Sequence, residues 1–212
     1  MTDHPQQPTP DTPLVIYGAG GHGTVVADAA ELAGYKVVGF LDDREQNALA
    51  PAEMLLSQND PKLAGANFIP AIGDNATRAA VMQKIEQLGG TVVNVIHPAA
   101  SVSPHAKLGH GIYVAPQAVI NPHAVVGDGC IVNSAAVVEH HCTLGNFAHL
   151  APGAVLGGAV TIGNHTLIGL GARVLPQRAV GDRCVVGAGG VVTRDFESDL
   201  LLVGVPAVAR RA

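Results

Sequence analysis

The sequence predicts a two-part α/β chain, in which a small doubly wound domain is followed by a parallel β-helix of triangular cross-section. Three observations predict it. One aliphatic residue returns at every sixth position through residues 102–192, a strand, glycine turn, helix and second strand open the chain, and aromatic residues are scarce. With four Phe, three Tyr and no Trp, the core is left to Val, Leu, Ile and Ala, which suit stacked β rungs.

The six-residue series is Val102, Leu108, Val114, Ile120, Val126, Val132, Val138, Leu144, Leu150, Leu156, Ile162, Ile168, Val174, Val180, Val186 and Val192. With about a third of positions aliphatic, an unbroken run of this length arises by chance roughly once in 10^7 registers. A period of six fits neither a helix nor a flat sheet. It fits three short strands per turn, each pointing one branched side chain into a shaft, so that eighteen residues close a coil. About five coils then stack at about 4.8 Å. Four positions after each aliphatic residue stands a second, usually small one, such as Ala118, Cys130, Ala136 or Cys142. Ile112, Val160 and Arg178 break that rule, and local bulges or corner contacts are expected there.

The opening segment reads as a strand over 14–17, the turn Gly18-Ala19-Gly20-Gly21-His22-Gly23, a helix over 24–33 ended by Gly34, and a strand over 36–41 closing on Asp42-Asp43. Gly18, Gly20 and Gly23 match G-x-G-x-x-G, and Asp42 stands at the spacing of a ribose-binding acid. By itself the motif also fits a dinucleotide site, but the stretch to residue 97 holds only a four- or five-stranded sheet. A short helix over 48–56, a strand over 68–72, a helix over 76–88 capped by Asp74 or Asn75 and stopped by Gly89-Gly90, and a strand over 92–96 complete the domain. The expected organisation is a disordered Pro-rich lead (1–13), a Rossmann-like domain (14–97), the β-helix (98–193) and a C-terminal cap (194–212) that covers the open end of the shaft.

Composition narrows the function. Apolar residues make up 48 % and charged ones 14 %, with a formal net charge of −5. No basic stripe favours nucleic acid, and no apolar run or leader predicts membrane insertion or export. A cytoplasmic protein is expected. Cys130, Cys142 and Cys184 all fall in the small inward row and should be reduced and structural.

Chemistry is signalled by histidine. His105, His123 and His141 occupy one slot of three successive coils, and Glu139-His140-His141 sets two imidazoles side by side between apolar rungs. Solvent-facing polar residues are the bland alternative. A zinc site is another, but three histidines on one ladder supply at most two ligands to an ion. No metal is expected, and a general base fits better.

The ordered set Tyr17 to Gly23, Phe40 to Asp43, Ile72-Gly73-Asp74-Asn75, Asn133 with Val138-Glu139-His140, Gly145 to His149, and Gly204-Val205-Pro206-Ala207 resembles the hexapeptide-repeat sugar acyltransferases. Within them it is similar to the sialic acid O-acetyltransferases and the nucleotide 4-amino-sugar N-acetyltransferases, above all the GDP-perosamine type of O-antigen synthesis. The resemblance implies a left-handed β-helix, acetyl-CoA as co-substrate, a homotrimer with sites between subunits, and N-acetylation of a nucleotide-linked 4-amino-4,6-dideoxyhexose. O-acetylation of a sugar hydroxyl is the alternative, and a non-catalytic scaffold or NAD-binding module a third reading. It implies Gly20, Gly21, His22, Gly23, Asp42, Asp43, Gly73, Asp74, Asn75, Asn133 and His149 for the substrate, and His149, Gly158, Leu170 and Ala188 for the coenzyme. His140 matches the catalytic base. Relatives often carry a carboxylate after that base, where this chain has His141. Three assignments follow: Glu139 supplies the carboxylate, His141 orients its neighbour, or His141 is itself the base.

Overall fold

The computed structural model describes residues 11–43 and 48–210. The parallel sheet of the N-terminal domain has the order β2-β1-β3-β4, made by β1 (Thr12–Tyr17), β2 (Tyr35–Leu41), β3 (Asn67–Pro70) and β4 (Thr91–Val92). Helix α1 (Gly21–Leu32) buries Val26, Ala29 and Ala30 against β1. Its end is set by Gly34, whose φ of +96° suits a residue without a Cβ. Asp74 caps α2 (Asn75–Gln87) by accepting from the Thr77 N–H at 2.8 Å.

Two expected elements differ. The helix expected over 48–56 shrinks to the 3-10 turn Ala52–Met54, because Pro51 disfavours helical geometry in the residue before it, and the Leu49 and Ala50 N–H groups are drawn to the Ala19 carbonyl. The strand expected over 92–96 is two strands. Thr91–Val92 pairs with β3, whereas Val95–Ile96 pairs with Tyr113–Val114 of the coil. Between them the Asn94 side chain bonds the Gly109 carbonyl and the Ile112 N–H, which turns the chain from one sheet into the other. The Pro-rich lead lies outside the described residues through position 10, and Thr12 and Pro13 belong to β1.

Beyond Asn94 the chain winds a left-handed parallel solenoid. Every rung pairs with the one eighteen residues away, as Val125 with Thr143 and Val137 with Val155. With rungs at Val95–Ile96 and Leu201–Val203 added, the five expected coils become about six. The shaft is packed by the six-residue row and the small row together. Ile112 and Val160 point inward, fully buried, with no shift of register, so the expected bulges are absent there. Arg178 instead turns out to Asp195. Each buried thiol donates to a carbonyl at 3.1 Å, Cys130 to Gly145, Cys142 to Gly157 and Cys184 to Glu197, and burial pushes Cys130 up to about 12. At the bottom, Leu202 and Ala207 close the shaft.

The three faces carry different outward residues. One presents Val125, Thr143 and Thr161 and is termed the threonine face; the next presents Tyr113, Ile131, His149, Leu167 and Val185; the third presents Val119, Val137, Val155 and Val191 and is termed the valine face. Tyr113 and Ile131 join the core of the N-terminal domain, which is therefore seated on the second face.

Candidate active site

The coil turns a corner three residues after each aliphatic position, and there the chain takes positive φ, at His123 (64°), His141 (61°), Phe147 (58°) and His165 (56°) among others. The N–H just before that residue points out of the coil. At the corner between the threonine and second faces these groups are capped by side chains one coil on: His110 N–H by Asp128, Asp128 by Asn146, Asn146 by Asn164, and Asn164 by Asp182. At the other two corners Pro104, Pro116, Pro122, Pro152 and Pro176 have no N–H at this position, while Ser134 is capped by Asn133 and His140 by Glu139. Among the described residues, Gly158, Leu170 and Ala188 are left with free N–H groups at this position. Those three, with His149, are the residues expected at the coenzyme, and free backbone donors fit the carbonyls of a thioester and its amide arm.

The corner between the valine and threonine faces holds the histidines. His105 and His123 stack with centroids 6.0 Å apart, and His123 lies 4.9 Å from His141. His140 Nδ1 and His141 Nδ1 are 3.1 Å apart, so one of them carries the shared proton. The Glu139 carboxylate accepts from the backbone N–H of His140, at 3.3 Å. Of the partners expected for the His140 ring, the fold brings His141 to it. Gly158 lies directly below, where a Cβ would meet the His140 ring at 2.7 Å. The imidazole and a free N–H thus face the same space.

A second cluster lies on the face that carries the N-terminal domain. The His149 Nδ1 is 3.3 Å from the Gly73 carbonyl and its Nε2 is 3.2 Å from Asn133 Nδ2. Asn133 Oδ1 accepts from the Ser134 N–H at 2.9 Å, which fixes the amide and makes its nitrogen the donor to His149. His149 is therefore neutral, with its proton on Nδ1. Burial, then the charge of Arg78 and the proximity of His22, hold it down to about 4. His22, in the first turn of α1, is also lowered to about 4 by burial and by Arg78. Its ring meets Tyr113 edge-on at 5.5 Å, and both His22 Nε2 and Tyr113 Oη are buried without a protein partner.

Arg78 was not foreseen. Fully buried, its guanidinium donates to the carbonyls of Gly129, Ile72, Gly73 and Phe147 and to Asn75 Oδ1. Asn75 adds a bond to the His165 carbonyl at 2.9 Å. Gly73, Asp74 and Asn75 are thus clamped to the solenoid, over a 420 Å³ cavity that they share with Leu167, Arg183 and Val185. The sequence signal was one Arg, at position 78, on a helix face whose other members, Val81, Met82 and Ile85, are apolar.

The glycine turn forms as expected. Gly18 has φ +126°, and a Cβ at Gly23 would strike the Gly18 carbonyl, so helix and strand pack close. Gly20 is the N-cap of α1 and borders open space, and Gly21, His22 and Gly23 open the helix with N–H groups facing it. Asp42 accepts from the Ala19 N–H at 2.7 Å, bracing this turn. Asp43 is engaged by Tyr17, Gln58 and Lys84, and Lys84 and Tyr17 hold its carboxyl below the usual range. Among the described residues no group of three metal-ligating side chains is assembled, and no helix is long and apolar enough to cross a membrane.

A hexapeptide-repeat coil with an imidazole beside a free N–H, carrying a Rossmann-like domain on one face, defines the class: a hexapeptide-repeat acyltransferase. The model of the PglD N-terminal domain matches residues 13–85. A perosamine N-acetyltransferase from Caulobacter crescentus, solved with CoA and GDP-perosamine, is 38% identical over 93% of this chain and 96% of its own, with a TM-score of 0.86. A histidine variant of that enzyme with the same ligands is 37% identical over 94% of this chain and 97% of its own, at 0.87. The acetyltransferase domain of PglB from Neisseria gonorrhoeae FA1090, in complex with acetyl coenzyme A, is 35% identical over 94% of this chain and 100% of its own, at 0.86. The chain belongs to the GDP-perosamine N-acetyltransferase family of hexapeptide-repeat acyltransferases.

Proposed function

We propose that this protein moves the acetyl group of acetyl-CoA to the 4-amino group of a GDP-perosamine-like nucleotide sugar, by direct attack in a ternary complex. The relatives solved with CoA and GDP-perosamine support both substrates. The observation that carries the chemistry is the His140 ring against Gly158. His140 Nε2 takes the proton from the attacking amine, for which a factor of about 10^2 to 10^4 is usual. The Gly158 N–H steadies the oxyanion as the tetrahedral adduct forms, worth about 3 kcal/mol in comparable sites. An amine needs no acyl-enzyme. Gly20, Gly21, His22 and Gly23 take the phosphates at the start of α1, Asp42 and Asp43 border the nucleoside, and Gly73, Asp74, Asn75, Asn133 and His149 position the sugar.

The active unit in this reading is a homotrimer. Around the coil, His140 stands at the corner opposite the face that holds His149, His22 and the N-terminal domain. One chain cannot bring the two clusters together, whereas a neighbouring chain can present its histidine corner to that face. The half-covered valine row gives such copies an apolar surface to bury.

The test is a survey of GDP- and UDP-linked 4-amino sugars and free sugars with acetyl-CoA, run on the parent protein and on His140→Asn. Turnover of a GDP-linked amine, with a large loss of kcat and little change of KM in the variant, is the result expected. Turnover of a free sugar hydroxyl alone would replace it with the O-acetyl reading.

A further inference from the structure

Leu49 faces away from the core that its neighbours join. Ala48 and Ala50, on either side of it, pack into the N-terminal domain, whereas Leu49 stands 71% exposed between them. The small pair is in and the large apolar residue out, the reverse of what burial favours. A lone exposed leucine is ordinary, but this one is held in place beside the glycine turn. The Leu49 and Ala50 N–H groups both donate to the Ala19 carbonyl, at 2.8 and 3.0 Å, and the Ala19 N–H donates to the Asp42 carboxylate at 2.7 Å. Turn, acid and leucine form one braced unit.

The side chain leans over the turn: a Cβ added to Gly21 would stand 3.7 Å from Leu49 Cδ1, and Gly20 next to it borders open space. The sheet order β2-β1-β3-β4 gives this turn two distinct sides. On one lies the end of β3, leading to Gly73, Asp74 and Asn75, and a Cβ at Gly18 would strike Ala71 and Ile72 there. On the other lies the end of β2 with Asp42 and Asp43, and the segment that carries Leu49 returns along the outer edge of β2, where Leu55 bridges Phe40. His22, one residue past Gly21, turns instead to the coil and meets Tyr113.

We propose that Leu49 is the apolar wall of the nucleoside pocket, packed against one face of the base of the nucleotide sugar. With the phosphates at the start of α1 and the sugar beside Gly73 and His149, the nucleoside falls on the β2 side of the turn, against Leu49. A nucleobase has polar edges and apolar faces. The N–H groups of the turn and the carboxylates of Asp42 and Asp43 suit phosphates and polar edges, and neither can cover the face of a ring. Leu49 supplies that cover without reading a hydrogen bond. Such a contact scales with the apolar area removed from water, so a purine gains more from it than a pyrimidine. Leu49 therefore favours GDP-linked over UDP-linked sugars.

This inference rests on the nucleotide-sugar reading. The experiment measures GDP and UDP binding by calorimetry, and steady-state kinetics with a GDP-linked 4-amino sugar, on the full chain and on its Leu49→Ala and Leu49→Met variants. In Leu49→Ala the Kd for GDP and the KM for the GDP-linked sugar should rise about tenfold and the Kd for UDP about threefold. The kcat, the KM for acetyl-CoA, the melting temperature and the sedimentation should stay as in the parent, and Leu49→Met, which keeps the apolar bulk, should restore most of the affinity. An alanine variant that binds GDP as tightly as the parent overturns the wall, and an equal loss for both nucleotides overturns the preference for GDP. A variant whose assembly dissociates would place Leu49 between subunits and overturn the proposal as well. If the parent binds neither GDP nor UDP, the functional reading falls and the wall falls with it.

Discussion

The chemistry proposed here turns on what Gly158 lacks. Gly158 has no side chain where a methyl would press on the His140 ring at 2.7 Å, and its N–H has no partner among the described residues. Gly158→Ala should keep the fold, since a rung is not broken, yet displace the imidazole and lower kcat by about 10^2, read by steady-state kinetics beside an unchanged melting curve. His22 and His149 act in the opposite way, because both are held neutral by burial and by Arg78. Their folded values, about 4, lie below the ordinary 6.5. The unfolded chain therefore binds more protons between these limits, and stability is fully present above pH 6.5 and lost as pH falls towards 4. At about 1.4 kcal/mol per unit, each imidazole contributes at most about 3 kcal/mol. Melting temperature should drop across that window, and His149→Gln should flatten the slope; a slope unchanged in this variant would remove His149 from the account.

At the level of elements, α2 is the strut that fixes the loop of Gly73, Asp74 and Asn75 to the coil. Arg78 meets four carbonyls from two domains and an amide, so Arg78→Met leaves those acceptors dry and costs about 3 to 5 kcal/mol. A fall of roughly 10 °C in melting temperature is expected, with KM for the nucleotide sugar rising because Gly73 to Asn75 lose their anchor. The coil was legible in the sequence because each rung repeats one physical demand, a branched side chain inward, and even the column of His105, His123 and His141 follows by counting eighteens. The βαβ turn was legible for the same reason, as Gly18 and Gly23 answer steric needs that leave a pattern. The junction between the domains was not. Asn94 moves the chain between sheets with two side-chain bonds, and Arg78 reaches carbonyls 51 and 69 residues away. No local period records either. Nor did the sequence reveal which partner meets His140, because Glu139, His140 and His141 are adjacent and only the positive φ at His141 turns its ring to its neighbour.

At the scale of the molecule, a triangular prism can place a residue on a face or at the corner opposite, and this chain does both with its two histidine clusters. The histidine corner carries His140 and Gly158, while the far face carries His149, His22 and the clamped loop. If three copies close a ring by one repeated contact, each site takes its base from one chain and its sugar pocket from the next. Two inactive proteins should then repair each other. In a ring assembled at random from equal parts of His140→Ala and His149→Ala chains, a site is intact when the chain giving the base carries His140 and its neighbour carries His149. Each condition holds half the time, so about one site in four is whole. Co-expression of the two variants with different tags, followed by isolation of particles that carry both, should recover about a third of parental turnover, since every mixed trimer holds one intact site of three. Mixed particles as inactive as either parent variant would mean that both histidines serve a site within one chain, and the trimeric arrangement would have to be abandoned.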